Sequence, residues 1–324
     1  MTSLAHPAAL LITQADEQAL RVAFEEALRF RGATSPNPPV GAAALGSDGR
    51  LLAVAAHEKA GEAHAEVRVL EACRARGVLD DITTLVVTLE PCNHSGNTPP
   101  CSKALCEVGI PRVVFGATDP NPAACGGADT LLKAGVQVVQ PPIGSDIRQA
   151  CEELIAPFSH FVRLGTPWIT IKTAHRNDGS MQPLEGHKTF TSADSLRYAH
   201  GLRKRADAII TGSGTVLADN PLFTVRHVAD FPNKQRWLAV LDRRRRVPDA
   251  WLAGARQRGF QVERFIDVAE CLAFLGRRGV VEALVEAGPT LSQFMLDAAL
   301  WQEHVRIECR AGVPDLITHV YRNH

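Results

Sequence analysis

The sequence carries no excess of charge: 35 lysines and arginines are balanced by 35 aspartates and glutamates. No global field therefore draws the chain to nucleic acid or to an anionic membrane surface. The basic run Arg243–Arg246 has no aromatic platform beside it on which bases would stack, and it reads as a solvated turn. No stretch approaches the roughly 20 apolar residues that a membrane span needs. The early apolar run Ala8–Ile12 is short and follows no lysine or arginine, unlike a secretory signal. The eight cysteines are scattered and make no disulfide framework, which suits a reducing cytoplasm. A soluble, cytoplasmic protein is expected. With 324 residues, 45% of them hydrophobic, the chain suits two domains with a core each.

What is present centres on two short segments, His64-Ala65-Glu66 and the run from Pro91-Cys92 to Cys101. One imidazole and two thiolates make three protein ligands, and a tetrahedral zinc then keeps its fourth position open for water. Bound zinc lowers the pKa of that water to roughly 7. Glu66, two residues past the histidine, is placed to carry protons between water and a substrate ring. His-x-Glu followed by Pro-Cys and a second Cys is the signature of zinc nucleobase deaminases. A purely structural zinc site is the bland alternative, but such sites usually close all four positions.

Eight residues, not the common two, separate Cys92 from Cys101. That insert, with His94, Gly96 and Thr98-Pro99-Pro100, closely resembles the deaminase half of the bifunctional riboflavin-biosynthesis deaminase/reductases. Asn37-Pro38-Pro39-Val40-Gly41 and Asp119-Pro120-Asn121-Pro122 resemble the same family. The resemblance implies substrate contacts from Asn37, His57 and His94. The loop at Asp119 and Asn121 offers further polar contacts, and for Asn37 a turn role is nearly as plausible.

Periodicity supplies the frame. Leu20, Ala23, Phe24, Ala27 and Leu28 predict a helix from Asp16. Strands are expected at 40–45 and 51–56 around the turn Ser47-Asp48-Gly49, and at 84–89 and 112–117. The second of two expected helices, 61–74 and 102–108, begins just after Cys101. In the first, Glu66 lies in the opening turn, where the helix dipole favours an ionised carboxylate. Pro141-Pro142 and a helical 146–164 read as a connection between domains.

In the second half, expected strands at 168–173, 207–211, 237–241, 283–286 and 305–309 alternate with helices at 192–204 and 290–299, which predicts a largely parallel sheet. Gly212-Ser213-Gly214-Thr215 and Ala287-Gly288-Pro289-Thr290 each follow a strand, a placement suited to phosphate though weak as a lone signal. Lys172, Gly214–Asp219, Arg226 and Glu286–Leu291 resemble the reductase half of the same family, which is similar to dihydrofolate reductase. The resemblance implies NADPH contacts from Ala174, Thr215, Asp219, Gly288 and Thr290. It implies substrate contacts from Arg203, Phe223, Arg226 and Glu286, and a guanidinium fork suits a phosphate dianion.

Several positions depart from the family pattern. His187-Lys188-Thr189-Phe190-Thr191 replaces a Ser-x-Trp-Ile-Thr segment, Arg176 and Asn220 replace a small residue and an acid, and Arg243 replaces a small cofactor contact. The segment after 309 is shorter than the family's tail. The expectation is an α/β chain: a cytidine-deaminase-like α/β/α sandwich over 1–145, a linker helix over 146–166, and a dihydrofolate-reductase-like α/β domain over 167–324. Its expected chemistry is zinc-dependent deamination of a diaminopyrimidine ribosyl phosphate, then NADPH-dependent reduction of the ribosyl group. The partners expected are that small molecule, neither nucleic acid nor membrane, with a homo-oligomer left open. The alternative is a deaminase whose second half binds substrate or serves assembly without hydride transfer.

Overall fold

The computed structural model describes residues 11–94, 99–182, 184–185, 189–310 and 312–322. Gly96 and Thr98 of the insert, and His187 and Lys188 of the altered segment, lie outside the described residues. The chain divides into two compact units, residues 1–162 and 163–324.

The first unit opens with α1 (Gln14–Leu28), started by a capping box in which Thr13 and Asp16 satisfy each other's backbone amides. Arg112 then clamps the Asp16 carboxylate with two bonds of 2.7 Å each, tying the helix start to a strand 96 residues away in sequence. β1 (Gly41–Leu45) and β2 (Leu51–Ala56) form the expected hairpin. Next come α2 (Ala65–Ala75), β3 (Thr84–Leu89), α3 (Cys101–Val108), β4 (Arg112–Ala117), α4 (Gly127–Lys133) and β5 (Gln137–Val139). The sheet order is β2-β1-β3-β4-β5, with β1 antiparallel to its neighbours and β3, β4 and β5 parallel.

Alternation along the strands builds two cores, one on each face. Ala42, Ala44, Leu85 and Val87 pack against Val69, Leu70, Leu105 and Leu131 of α2–α4. Ala43, Leu45, Val86 and Val114 pack against Leu20 and Ala23 of α1 and against Ile147, Cys151 and Ile155. The last three belong to α5 (Asp146–Leu154) and the residue after it, so this part of the expected linker is a layer of the α/β/α sandwich. The unit boundary falls later, within α6 (Ala156–Leu164).

The second unit contains β6 (Trp168–His175), α7 (Ala193–Arg205), β7 (Ala208–Gly212), α8 (Ser213–Asp219), β8 (Arg236–Leu241), α9 (Asp249–Gln257), β9 (Phe260–Phe265), α10 (Val268–Arg277), β10 (Glu282–Val285), α11 (Pro289–Asp297), β11 (Glu303–Glu308) and β12 (Leu316–Tyr321). Its sheet runs β12-β11-β6-β10-β7-β8-β9 and is parallel except for the β11–β12 pair. Ile169, Ile171, Ile210 and Val285 face α10 and α11, while Ile209, Leu238 and Val240 face α8 and α9. Leu284 and Val305 meet Leu202 of α7.

The elements not anticipated are α8, α9, β9, α10 and β12. In β9, Gln261, Glu263 and Arg264 break the apolar run, although Phe260 and Val262 are buried between them. β12 buries neither face fully, so it has no pattern to read. Asn220 ends α8 with φ +43°, a left-handed C-cap of the kind asparagine tolerates. Arg243–Arg246 is an exposed turn, organised by Asp242, whose carboxylate accepts the backbone amides of Arg246 and Val247 at 2.9 Å each.

Candidate active sites

Three elements deliver the ligand set. His64 is the N-cap of α2, with extended backbone, and so sits one residue before the helix that was expected to include it. Cys92 follows the carboxyl end of β3, and Cys101 is the first residue of α3. His64 Nδ1 lies 3.6 Å from Cys92 Sγ and 3.4 Å from Cys101 Sγ, and all three ligand atoms fall within 4.8 Å of one another. Among the described residues this is the one group of metal-ligand type. The donor set fits zinc: one nitrogen and two sulfurs, with a fourth direction open to the adjoining cavity.

One of the two thiols, that of Cys92, already carries thiolate character. The hydrogen bond from the Cys101 thiol, with help from His64 and against burial, draws the Cys92 thiol down to about 4. Cys101, which holds that thiolate, is pushed upward by the bond and by burial. The bond to Cys92 raises His64 above the usual imidazole value.

Glu66 is 3% exposed, and burial lifts its carboxyl to about 7. This departs from the expectation of an ionised side chain held by the helix terminus. Desolvation of a buried carboxylate outweighs a dipole effect of a few tenths to about 1 kcal/mol. A carboxyl poised near neutrality suits a group that must both accept and donate a proton.

A cavity of about 350 Å³ adjoins the cluster. Its lining includes Asn37, His57, Glu66, His94, Asp119 and Asn121 beside His64 and Cys92. All the substrate-facing residues expected in the first half are therefore brought together. His57 is only 2% exposed: Nδ1 lies 3.1 Å from the Ala63 carbonyl and Nε2 lies 3.3 Å from Asn37 Nδ2. Burial holds its pKa below the ordinary value. Asp119 accepts the Asn121 amide at 2.9 Å, and burial raises its carboxyl. Among the lining residues that were not foreseen are Glu90 and Phe158. The neighbouring Pro-Cys overshadowed Glu90 in the sequence, and nothing local marks Phe158, which α6 brings in.

The second unit holds a cavity of about 1150 Å³ at the carboxyl ends of its parallel strands, where open α/β sheets bind ligands. Ala174, Arg203, Thr215, Asp219, Phe223, Arg226, Glu286, Gly288 and Thr290 all line it. The two glycine turns meet there: Thr215 Oγ1 accepts the Gly288 amide at 2.8 Å. A side chain at Gly214 would meet nothing within 4 Å, which leaves the backbone open to a close-lying ligand. The volume and the two turns fit a dinucleotide with room for a second molecule.

Glu286 is the charged centre of this cavity. Its Oε2 accepts from Arg203 Nε at 2.9 Å and Nη2 at 2.7 Å, and Oε1 lies 3.7 Å from Lys172 Nζ. Burial opposes ionisation, but Arg203 and Lys172 together hold the carboxyl below its usual range. Oε1 is buried and, among the described residues, has no hydrogen-bond partner, an acceptor suited to a ligand hydroxyl. His200, unremarked in the sequence, is 2% exposed, and its Nδ1 accepts the Arg226 amide at 2.8 Å. Burial, then Arg203, His227 and Arg226, pushes its pKa down to about 4.

Residues 13–117 match the family model of the cytidine and deoxycytidylate deaminase zinc-binding region, and residues 167–307 match that of the RibD C-terminal domain. The riboflavin biosynthesis protein RibD of Corynebacterium ammoniagenes is 38% identical over 277 residues, covering 85% of this chain and 80% of the relative. That of Escherichia coli K12 is 33% identical over 322 residues, covering 89% and 86%. Acinetobacter baumannii RibD superposes with a TM-score of 0.77 at 28% identity, covering 93% of this chain and 88% of that one. A Thermotoga maritima diaminohydroxyphosphoribosylaminopyrimidine deaminase/5-amino-6-(5-phosphoribosylamino)uracil reductase matches with the same TM-score, identity and coverage. With a deaminase cluster in one unit, a dinucleotide-sized cavity in the other and relatives alike over most of its length, the chain belongs to the RibD family of riboflavin biosynthesis proteins.

Proposed function

We propose that the smaller cavity deaminates a diaminohydroxyphosphoribosylaminopyrimidine and that the larger one reduces the ribosyl group of the resulting phosphoribosylaminouracil to ribityl. The chain is a bifunctional deaminase and reductase of riboflavin biosynthesis, and its cofactors are zinc and NADPH. The observation that carries the substrate and residue assignment is the convergence of the expected side chains on two cavities, each beside a fitting cofactor site.

In the first unit, His64, Cys92 and Cys101 would hold the zinc, which when bound would supply a Lewis acid able to lower the pKa of water to about 7. Glu66 would take one proton as water adds to the amine-bearing ring carbon and pass it to the adjacent ring nitrogen, then take the proton of the new hydroxyl and deliver it to the departing amino group as the carbonyl forms. One water is consumed and one ammonia leaves. Asn37, His94, Asp119 and Asn121 hold the pyrimidine and its polar tail. His57 acts from behind Asn37, since both of its ring nitrogens face groups of the protein.

In the second unit, NADPH supplies the hydride. Gly288, Thr290, Thr215, Ala174 and Asp219 line the part of the cavity assigned to the dinucleotide. Arg226 faces the substrate phosphate as a fork suited to a dianion, while Arg203, whose Nε and Nη2 are given to Glu286 and whose Nη1 is given to the Thr224 carbonyl, adds its charge to that end of the cavity. Lys172 and the orphan Oε1 of Glu286 lie where a ribosyl oxygen would find a donor and an acceptor. Phe223 packs beneath the Arg203 guanidinium, 5.9 Å from its ring centre.

No helix among the described residues is long and apolar enough to cross a membrane, and the site of action proposed for this small-molecule chemistry is the cytoplasm. A homo-oligomer is compatible with this reading. The test is an assay on the ribosylamino-diaminopyrimidinone phosphate that follows ammonia release and NADPH loss separately. Both signals are expected. Ammonia without NADPH loss would leave a deaminase with a retired second unit, and neither signal in zinc-loaded protein would overturn the substrate assignment.

A further inference from the structure

Glu90 is a buried acid, 6% exposed, two residues before the metal ligand Cys92. Its carboxylate spends itself on backbone. Oε1 accepts the amides of Gly126 and Ala128 at 3.1 Å each, and Oε2 accepts that of Asp119 at 3.3 Å. The chain binds back in the reverse direction too: the Glu90 amide donates to the Ala117 carbonyl at 2.8 Å, and the Asn93 amide donates to Ala124 at 2.8 Å. Segment 117–128 therefore lies along the strand end, with its two extremities held by one side chain. The seat is tight, because a Cβ on Gly127 would fall 1.7 Å from the Pro91 carbonyl oxygen. Between the anchored points the segment carries Asp119 and Asn121 into the cavity.

We infer that Glu90 is a positioning residue for deamination, whose carboxylate fixes the substrate-facing loop 119–126 against the strand end that carries Cys92. The inference rests on the deaminase reading of this cavity. Three backbone amides converge on the two oxygens of this one side chain, and a carboxamide of the same size has only one acceptor oxygen to offer them. Metal site and substrate wall are thus held in one register.

The test compares Glu90→Gln with the zinc-loaded wild-type chain. The amide keeps the shape but turns a donor toward a backbone N–H. Expected is a KM rise of about tenfold or more with kcat changed only a few-fold, and zinc still at one equivalent. Amides of Asp119, Gly126 and Ala128 should lose hydrogen-exchange protection, while those of β4 keep theirs. In an Asp119→Asn background Glu90→Gln should raise KM little further, because the effect runs through the loop. Loss of zinc and kcat with KM unchanged, or protection unaltered, would overturn the inference in favour of a merely structural acid. If Glu90→Gln does not fold, Glu90→Asp, one methylene short, is expected to give the same split. Absent ammonia release by the wild type would sink the deaminase reading instead, and the exchange pattern would still report on the loop.

Discussion

Cys101 donates its backbone N–H to Cys92 Sγ at 3.4 Å although eight residues separate the two. A helix starting at Cys101 aims its first free amide at the partner thiolate, so the insert between them does not open the site. Cys101→Ala removes a ligand and should cut zinc content well below one per chain. Deamination should fall by more than the roughly 10–100-fold seen for residues that only support ligands, while NADPH oxidation with the deaminated intermediate is retained. Metal analysis beside the two assays checks this.

Glu66 is the buried acid beside the ligand set in the deaminase cavity. Glu66→Gln should lower the kcat for ammonia release by roughly a hundred- to ten-thousand-fold, with zinc content intact. Near-normal kcat in the variant would assign the proton shuttle elsewhere.

Arg203 and Glu286 form a pair with side chains 15% and 5% exposed. Removing the guanidinium by Arg203→Ala strands a buried carboxylate, at a cost of roughly 3 kcal/mol, read by denaturant unfolding of the second-unit transition. Arg203→Ala with Glu286→Gln should recover part of that stability but none of the reductase rate. The double variant thereby separates the structural from the functional share of the pair.

His200 titrates at about 4 in the fold, against an ordinary value of 6.5. The unfolded chain therefore binds the extra proton first as pH falls. Stability contributed by the neutral ring is present above pH 6.5 and declines progressively as pH drops from 6.5 toward 4. Unfolding measured across this window should show a slope that His200→Asn flattens. An unchanged slope would remove His200 as its origin.

Much of the metal site was legible because its chemistry needs few residue types at short spacing: His64 and Glu66 are two apart, and each cysteine adjoins an element boundary. Less was legible where partners are distant. Glu90 takes amides 29 to 38 residues away, and the Arg112–Asp16 clamp spans 96, so no local pattern announces either. Glu66 shows the limit most directly: position in a helix argues for an ionised acid, and burial reverses that.

By itself the sequence determined the two-unit α/β plan and the His64–Cys92–Cys101 ligand set with its acid, since periodicity and ligand chemistry are local properties, and family resemblance implied many of the residues that line each cavity. Only the tertiary structure decided that residues 146–154 belong to a core layer, that His57 bonds to Asn37, that Glu286 Oε1 lacks a hydrogen-bond partner among the described residues, and that Glu90 accepts three amides of the segment 119–128. Those are matters of desolvation and of contacts between distant residues, which exist only once the chain has packed.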